Sequence, residues 1–124
     1  MTKIINISKI VCIVQKYGHN NTIPKENVFS EVVKNQHPSE GRCRKSNYKK
    51  HISICKKLNL IQEENLNFVL TEMGIKYHKL VPTYDNKKEF SEKTDELKKI
   101  IVKIIDSKES LKNEFGEIHA DVEI

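Results

Sequence analysis

The sequence is poor in the residues and segments that mark several protein classes. Tryptophan is absent, and the 124 residues include only 4 Gly, 3 Pro and 3 Cys. So few Gly and Pro residues exclude a collagen-like or low-complexity chain. The three cysteines contain no C-x-x-C pair, so they predict reduced thiols and not a disulfide framework or a zinc ribbon. The longest unbroken apolar run, Ile10 to Val14, is too short to cross a bilayer.

Catalytic motifs and targeting signals are also missing. The sequence has no G-x-S-x-G, G-x-x-x-x-G-K-[ST], H-E-x-x-H or G-x-G-x-x-G motif. The apolar residues after Lys3 are interrupted by Asn6 and Ser8, and no small-residue cleavage site follows them. We therefore expect a protein that is not an enzyme, uses no cofactor or metal, stays in the cytoplasm and does not bind a membrane.

Positive charge is abundant and is concentrated in one segment. The net charge at pH 7 is +5, from 22 Lys and Arg against 17 Asp and Glu. Through Val81 the chain carries 14 basic and 6 acidic side chains, whereas from Pro82 onward it carries 8 and 11. The segment 42–57 contains no acid and seven cations, namely Arg42, Arg44, Lys45, Lys49, Lys50, Lys56 and Lys57. Such a cluster predicts a polyanionic partner.

Apolar spacing predicts three helices before the middle of the chain. Apolar residues with helical spacing predict a first helix over about 8–17. A second helix is expected over about 24–35, because Pro24 suits the first turn of a helix. A polar loop of about ten residues follows, and a third helix is expected over 46–58 because Ser46 is a good N-cap. Short apolar-rich runs at 60–63 and 67–70 then predict a β-hairpin.

The rest of the chain is predicted to contain two more helices. Thr71 is placed to cap the fourth helix, which Pro82 ends. A polar linker over 83–89 leads to a last helix over about 91–113. The tail from 116 to 124 fits a terminal strand or disorder equally well. The predicted fold class is therefore mainly α with a small β-hairpin.

The third helix is amphipathic, and its polar side is cationic. At 100° per residue, one arc collects apolar side chains, namely Tyr48, Ile52, Ile54, Cys55 and Leu58. The opposite arc collects Ser46, Lys49, Lys50, Ser53, Lys56 and Lys57. We expect the first arc to face the core and the second to face solvent.

The last helix carries an apolar stripe in heptad register. Leu97, Ile101, Ile104, Leu111 and Phe115 alternate by threes and fours, and Ile100 and Ile105 widen the stripe. The stripe can fold back on its own domain or pair with a second chain. A helix of about 23 residues is ~35 Å long and projects beyond so small a domain, which favours pairing. The expected homodimer interface is Leu97, Ile100, Ile101, Ile104, Ile105 and Leu111.

The order of elements and two local motifs resemble a known family. The stretch Cys55-Lys56-Lys57-Leu58-Asn59-Leu60-Ile61-Gln62-Glu63 runs into Phe68-Val69-Leu70-Thr71-Glu72-Met73-Gly74. This sequence resembles the winged helix-turn-helix domains of small prokaryotic, especially archaeal, transcriptional regulators. Asn59 stands where that family usually has Gly, and Asn also enters the left-handed backbone region. The resemblance covers roughly residues 7–80 and implies a winged helix-turn-helix domain over 1–81. The heptad stripe predicts that 82–124 form a linker and a dimerisation helix.

The resemblance also implies a function, namely sequence-specific binding of double-stranded DNA by a homodimeric transcriptional regulator. The third helix would then enter the major groove, with Asn47, Lys49, Lys50 and Ser53 near base edges. Cations at both ends of the helix would contact phosphates. The complete predicted interface is Arg42, Arg44, Lys45, Ser46, Asn47, Lys49, Lys50, Ser53, Lys56 and Lys57. With about five phosphates neutralised per protomer, log K should fall against log salt with a slope of about −4 to −5.

Three other interpretations of the sequence remain open. The winged helix can be a protein-interaction module or the DNA-targeting part of a larger assembly. The tip of its hairpin has acids and no Lys or Arg, so we do not expect it to enter a minor groove. His37, Cys43, His51 and Cys55 resemble a zinc ligand set, although the position of Cys55 in the apolar arc favours simple packing. Cys43, flanked by Arg42 and Arg44, can be a redox-sensitive thiol or an incidental exposed cysteine.

Overall fold

The computed structural model of the chain describes residues 2–34, 45–81, 87–107, 109 and 122–123, and these residues form a mainly helical α+β structure. Its elements are β1 (Thr2–Lys3), α1 (Ile4–Tyr17), β2 (Thr22–Pro24), α2 (Lys25–Lys34), α3 (Lys45–Lys57), β3 (Ile61–Glu64), β4 (Asn67–Leu70), α4 (Glu72–Leu80), α5 (Lys87–Asp106) and β5 (Val122–Glu123). The prediction of a mainly α chain with a small β-hairpin is confirmed.

Helix α1 lies at the centre of the fold. It begins at Ile4, a full turn before the predicted start, and it packs against all four other helices. Every residue from Ile7 to Val14 is buried, including the two polar residues Ser8 and Lys9. Inside the core the Ser8 and Tyr77 hydroxyls form a hydrogen bond of 2.8 Å, which satisfies both groups. Other elements therefore cover α1 on every side along this stretch.

The sheet has three antiparallel strands in the order β2-β4-β3. The predicted hairpin is confirmed as β3 and β4, in which Ile61 pairs with Leu70 and Glu64 with Asn67. Strand β2 was not predicted, because the two predicted helices over about 8–17 and about 24–35 leave most of it between them without an assigned element. It pairs with β4 along its whole length and ends at Pro24, which is tolerated because β2 is an edge strand.

Two asparagines and a threonine shape the ends of the hairpin. Asn59, after α3, has φ 59°, and Asn65, in the hairpin turn, has φ 55°, so both occupy the left-handed region. The predicted cap is also confirmed, since the Thr71 hydroxyl accepts a hydrogen bond from the Gly74 N–H at 3.0 Å. Gly74 itself lies directly on the Leu60 carbonyl, where a Cβ atom would overlap the oxygen. The hairpin and α4 are therefore held in close contact.

Helix α5 packs on its own chain, against α1 and α4. It begins at Lys87, before the predicted start, and its predicted extension from Asp106 toward residue 113 lies largely outside the described residues. Leu97, Ile101 and Ile105 are fully buried and Ile104 is buried, while Ile100 is half-buried at the edge of the same core. Residues on both sides of the predicted boundary at 81 therefore share one core.

Most of the predicted dimer seam lies in the core of the same chain. The side chains of Leu97, Ile101, Ile104 and Ile105 contact the domain of the same chain, which is the other arrangement that the heptad stripe allowed. They are not a surface that a second copy can reach without opening the core. Leu111, the last residue of the predicted interface, lies outside the described residues.

The last described residues return to the start of the chain. Strand β5 pairs in parallel with β1, with Thr2 beside Val122 and Lys3 beside Glu123. Of the two possibilities left open for the tail, the structure shows a short strand at these two positions.

Candidate nucleic-acid interface

Three buried side chains fix the orientation of α3. Tyr48, Ile52 and Cys55 follow one another by four and three residues, so they lie on one face, and all three are buried as predicted. The Tyr48 ring packs against the Phe29 ring of α2 at a centroid distance of 5.0 Å. The Cys55 thiol is directed at the Ile7 carbonyl of α1, with its sulfur 4.0 Å from the oxygen. Helix α3 cannot rotate about its axis without breaking these contacts and exposing the buried side chains to solvent.

The opposite side of α3 is exposed, as its amphipathic pattern predicts. Seven of the ten residues predicted to contact DNA are exposed on this helix, namely Lys45, Ser46, Asn47, Lys49, Lys50, Lys56 and Lys57. Ser53 is half-buried, and Arg42 and Arg44 lie outside the described residues. Helix α3 contains no acidic residue. Its surface can therefore bind an anion without displacing an acid of its own helix.

The lysines of α3 differ in the ion pairs they form. Among the residues that the structure describes, no acid lies within ion-pair distance of Lys45, Lys49 or Lys50. Lys56, in contrast, forms an ion pair with Glu63 of β3, with 3.1 Å between its Nζ atom and Glu63 Oε1. Within the described chain, the N-terminal half of α3 therefore presents ammonium groups that have no acidic partner.

Glu63 joins three elements through two lysines. Its second carboxylate oxygen, Oε2, lies 3.0 Å from the Nζ atom of Lys25, the first residue of α2. Hydrogen bonds from Lys25 and then Lys56 hold the pKa of the Glu63 carboxyl below its usual range. The bridge connects the start of α2, strand β3 and the end of α3. Sequence reasoning missed Lys25, which is far from Lys56 in the chain, because no local spacing pattern relates the two positions.

The turn end of the hairpin is also tied to α2 through the backbone. The N–H of Lys25 donates to the Leu66 carbonyl at 2.9 Å, and Pro24 pairs with Asn67 in the sheet. The Lys25 ammonium group in addition lies 5.7 Å from the centre of the Phe68 ring. At the tip, the Leu66 side chain is 80% exposed, although the backbone that carries it is hydrogen-bonded.

The zinc ligand set suggested by the sequence finds no support. Cys55 is fully buried, and burial raises the pKa of its thiol to about 12, which disfavours the thiolate that zinc requires. His51 is half-buried, and its burial lowers its pKa. His37 and Cys43 lie outside the described residues, so the redox interpretation of Cys43 stays a prediction. Across the described ranges, no group of three or more His, Cys, Asp or Glu side chains could hold a metal ion.

Comparison with known proteins adds no relative. A scan against protein-family models finds no matching family, and searches of curated proteins and of solved structures find no match. Within the described ranges, no helix is long and apolar enough to span a membrane. The functional interpretation therefore depends on the surface of α3 and the elements around it.

Proposed function

We propose that this chain is a winged helix-turn-helix protein that binds double-stranded DNA sequence-specifically as a transcriptional regulator, with α3 as the recognition helix. The observation that carries the proposal is the outward face of α3, where exposed lysines and polar side chains stand on a helix that three buried residues hold in place. A fixed cationic helix without acids matches the phosphate-lined major groove in both shape and charge.

The connectivity supports the same proposal. Helices α1, α2 and α3, the hairpin and α4 follow one another in the order on which the resemblance rests, with the short strand β2 added between α1 and α2. The hairpin that would form the wing directly follows the C-terminal end of α3. The segment between α2 and α3 is about ten residues long, which sets this chain apart from helix-turn-helix motifs with a turn of three or four residues.

The ion pair of Lys56 lowers the expected number of phosphate contacts. Five cations were assigned to phosphates, namely Arg42, Arg44, Lys45, Lys56 and Lys57. Because Lys56 is already paired with Glu63, at most four of them are expected to contact phosphates. The slope of log K against log salt is then about −3.6 per protomer. Lys49, Lys50, Asn47 and Ser53 are left to approach base edges.

A double charge reversal on α3 tests the proposal. Lys49→Glu with Lys50→Glu should weaken duplex binding at least about 100-fold, since two cations are replaced by two anions at the centre of the interface. Both side chains are exposed, so the free energy of unfolding should change by less than about 0.5 kcal/mol. Fluorescence anisotropy with a labelled duplex measures the first effect and urea unfolding the second. Unchanged affinity in a folded double variant would remove α3 from the interface.

In vitro selection of bound duplexes would identify the operator and its symmetry. The homodimer remains part of the proposal, but it needs a surface other than the buried side of α5. A two-fold dimer would select palindromic sites with half-sites about one helical turn, ~34 Å, apart. Selection of single, unpaired half-sites would instead indicate a monomer.

The second candidate function is a protein-interaction module, and the hairpin tip favours it. The turn presents the exposed Leu66 beside Glu64, with no Lys or Arg in the turn itself. An apolar side chain next to an acid suits a protein partner better than a phosphate backbone. A monomer in solution that does not shift any duplex at low salt would favour this function over DNA binding.

A further inference from the structure

The Glu63 bridge places two lysines from different elements at one edge of the cationic face. Lys56 lies on the hairpin side of α3, and Lys25 begins α2 next to the hairpin. Each ammonium group binds a different oxygen of the same carboxylate, at 3.1 and 3.0 Å. The Lys25 and Lys56 side chains nevertheless remain 38% and 43% exposed, so a phosphate can approach both from solvent.

We infer that Glu63 is a specificity-determining residue, because it occupies Lys25 and Lys56 as an internal substitute for phosphate and so withholds two backbone contacts from DNA. This inference rests on the proposed function and adds to it a site near the turn end of the hairpin, made of Lys25 and Lys56, that phosphate would occupy only when Glu63 is removed.

The physical argument concerns the balance between two kinds of contact. Phosphate contacts raise the affinity for every DNA sequence equally, whereas base contacts discriminate among sequences. A carboxylate that engages two lysines reduces the contribution of phosphate contacts to the affinity and leaves the contribution of base contacts unchanged. The recognition face of α3 reads bases with lysine, serine and asparagine, so a lower nonspecific affinity is the effective way to raise its specificity ratio.

The adjacent Glu64 provides a matched control. It follows Glu63 in the same strand, is exposed, and within the described chain forms no ion pair. Glu63→Gln and Glu64→Gln change the net charge by the same amount in neighbouring positions. A difference between them therefore reports the two ion pairs and not the total charge.

The test is the salt dependence of binding to a duplex of random sequence, measured by fluorescence anisotropy with the full chain. In Glu63→Gln both lysines are released, so the slope of log K against log salt should steepen by about 1.8, that is ~0.9 for each phosphate. The affinity for random DNA at about 0.15 M salt should rise roughly 5- to 30-fold. Glu64→Gln should change the slope by less than about 0.3, because it adds charge but no contact.

Lysine substitutions complete the test. In the Glu63→Gln background, Lys25→Gln and Lys56→Gln should each reduce the slope by about 0.9, whereas in the wild-type background each should have a much smaller effect. Equal slopes for Glu63→Gln and Glu64→Gln would overturn the inference. So would a full effect of the lysine substitutions in the wild-type chain, since the lysines would then already contact phosphates.

A measurement without DNA separates this inference from the proposed function. The pKa of the Glu63 carboxyl, followed by NMR, should lie below the usual range of a glutamate in the wild-type chain, and Lys25→Gln or Lys56→Gln should raise it. If the bridge is found in this way but no variant binds a duplex, the proposed function fails. If the wild-type chain binds duplexes and the pKa of Glu63 is not lowered, the bridge is absent and only the inference fails.

Discussion

Replacing Leu97 by Ala distinguishes most sharply between a helix α5 that belongs to the core of one chain and a helix that joins two chains. Leu97 is fully buried and belongs to the same hydrophobic cluster as residues of α1 and α4. Removing its isobutyl group from a packed core costs about 2–5 kcal/mol in the free energy of unfolding. For a chain of this size the loss corresponds to a decrease in Tm of about 10 °C or more.

The assay is thermal unfolding followed by circular dichroism, repeated over a hundredfold range of protein concentration. If α5 packs within its own chain, the decrease in Tm from the wild-type chain to Leu97→Ala is the same at every concentration, because the lost contacts do not involve a second chain. Lys99→Ala, on the exposed side of the same helix, is the control and should change stability by less than about 0.5 kcal/mol. The assignment of the Leu97 side chain to the core would be refuted by two results together. These are a wild-type Tm that rises with concentration and a Leu97→Ala variant that is monomeric but as stable as the wild-type chain.

Two further predictions concern the packing of α4 and the response to acid. Gly74→Ala should lower the free energy of unfolding, measured by urea titration, by about 1–3 kcal/mol, because the new methyl group meets the Leu60 carbonyl. The control Lys76→Ala, on the exposed side of α4, should have little effect in the same measurement. Burial lowers the pKa values of His51 and His78 below the usual 6.5. As pH falls, these histidines are therefore protonated in the unfolded state before they are protonated in the folded state. The free energy of unfolding should for this reason decrease as pH decreases from about 7 to 5. This part of the pH dependence should shrink in the His51→Gln and His78→Gln variants, and a decrease that is unchanged in both would exclude the histidines as its source.

Much of the helical framework could be predicted from the sequence, because local signals fix it. The apolar face of α3 has an unambiguous helical period, and its three buried residues were assigned correctly. The cap at Thr71 and the left-handed Asn59 depend on neighbouring backbone groups, which are visible at short sequence separation. Such features need no knowledge of distant parts of the chain.

The features that were missed depend on distant contacts. Strand β2 is very short and becomes a strand because β4, which lies far along the chain beyond α2 and α3, supplies its hydrogen-bond partners. The stripe on α5 shows which side chains avoid water but not which chain covers them, so the sequence left open whether α1 and α4 or a second copy packs against it. The bridge from Lys25 through Glu63 to Lys56 likewise exists only after three elements have come together.

The salt dependence of binding between the wild-type chain and duplex DNA tests the central claim most directly. The account predicts that log K falls with log salt at a slope of about −3.6 per protomer, or twice that for a dimer that contacts DNA with both copies of α3. It also predicts that Lys49→Glu with Lys50→Glu abolishes binding in this salt range. A folded wild-type chain that does not bind duplex DNA even at low salt, or binds it with a slope near zero, would contradict the assignment of α3 as a DNA-binding helix.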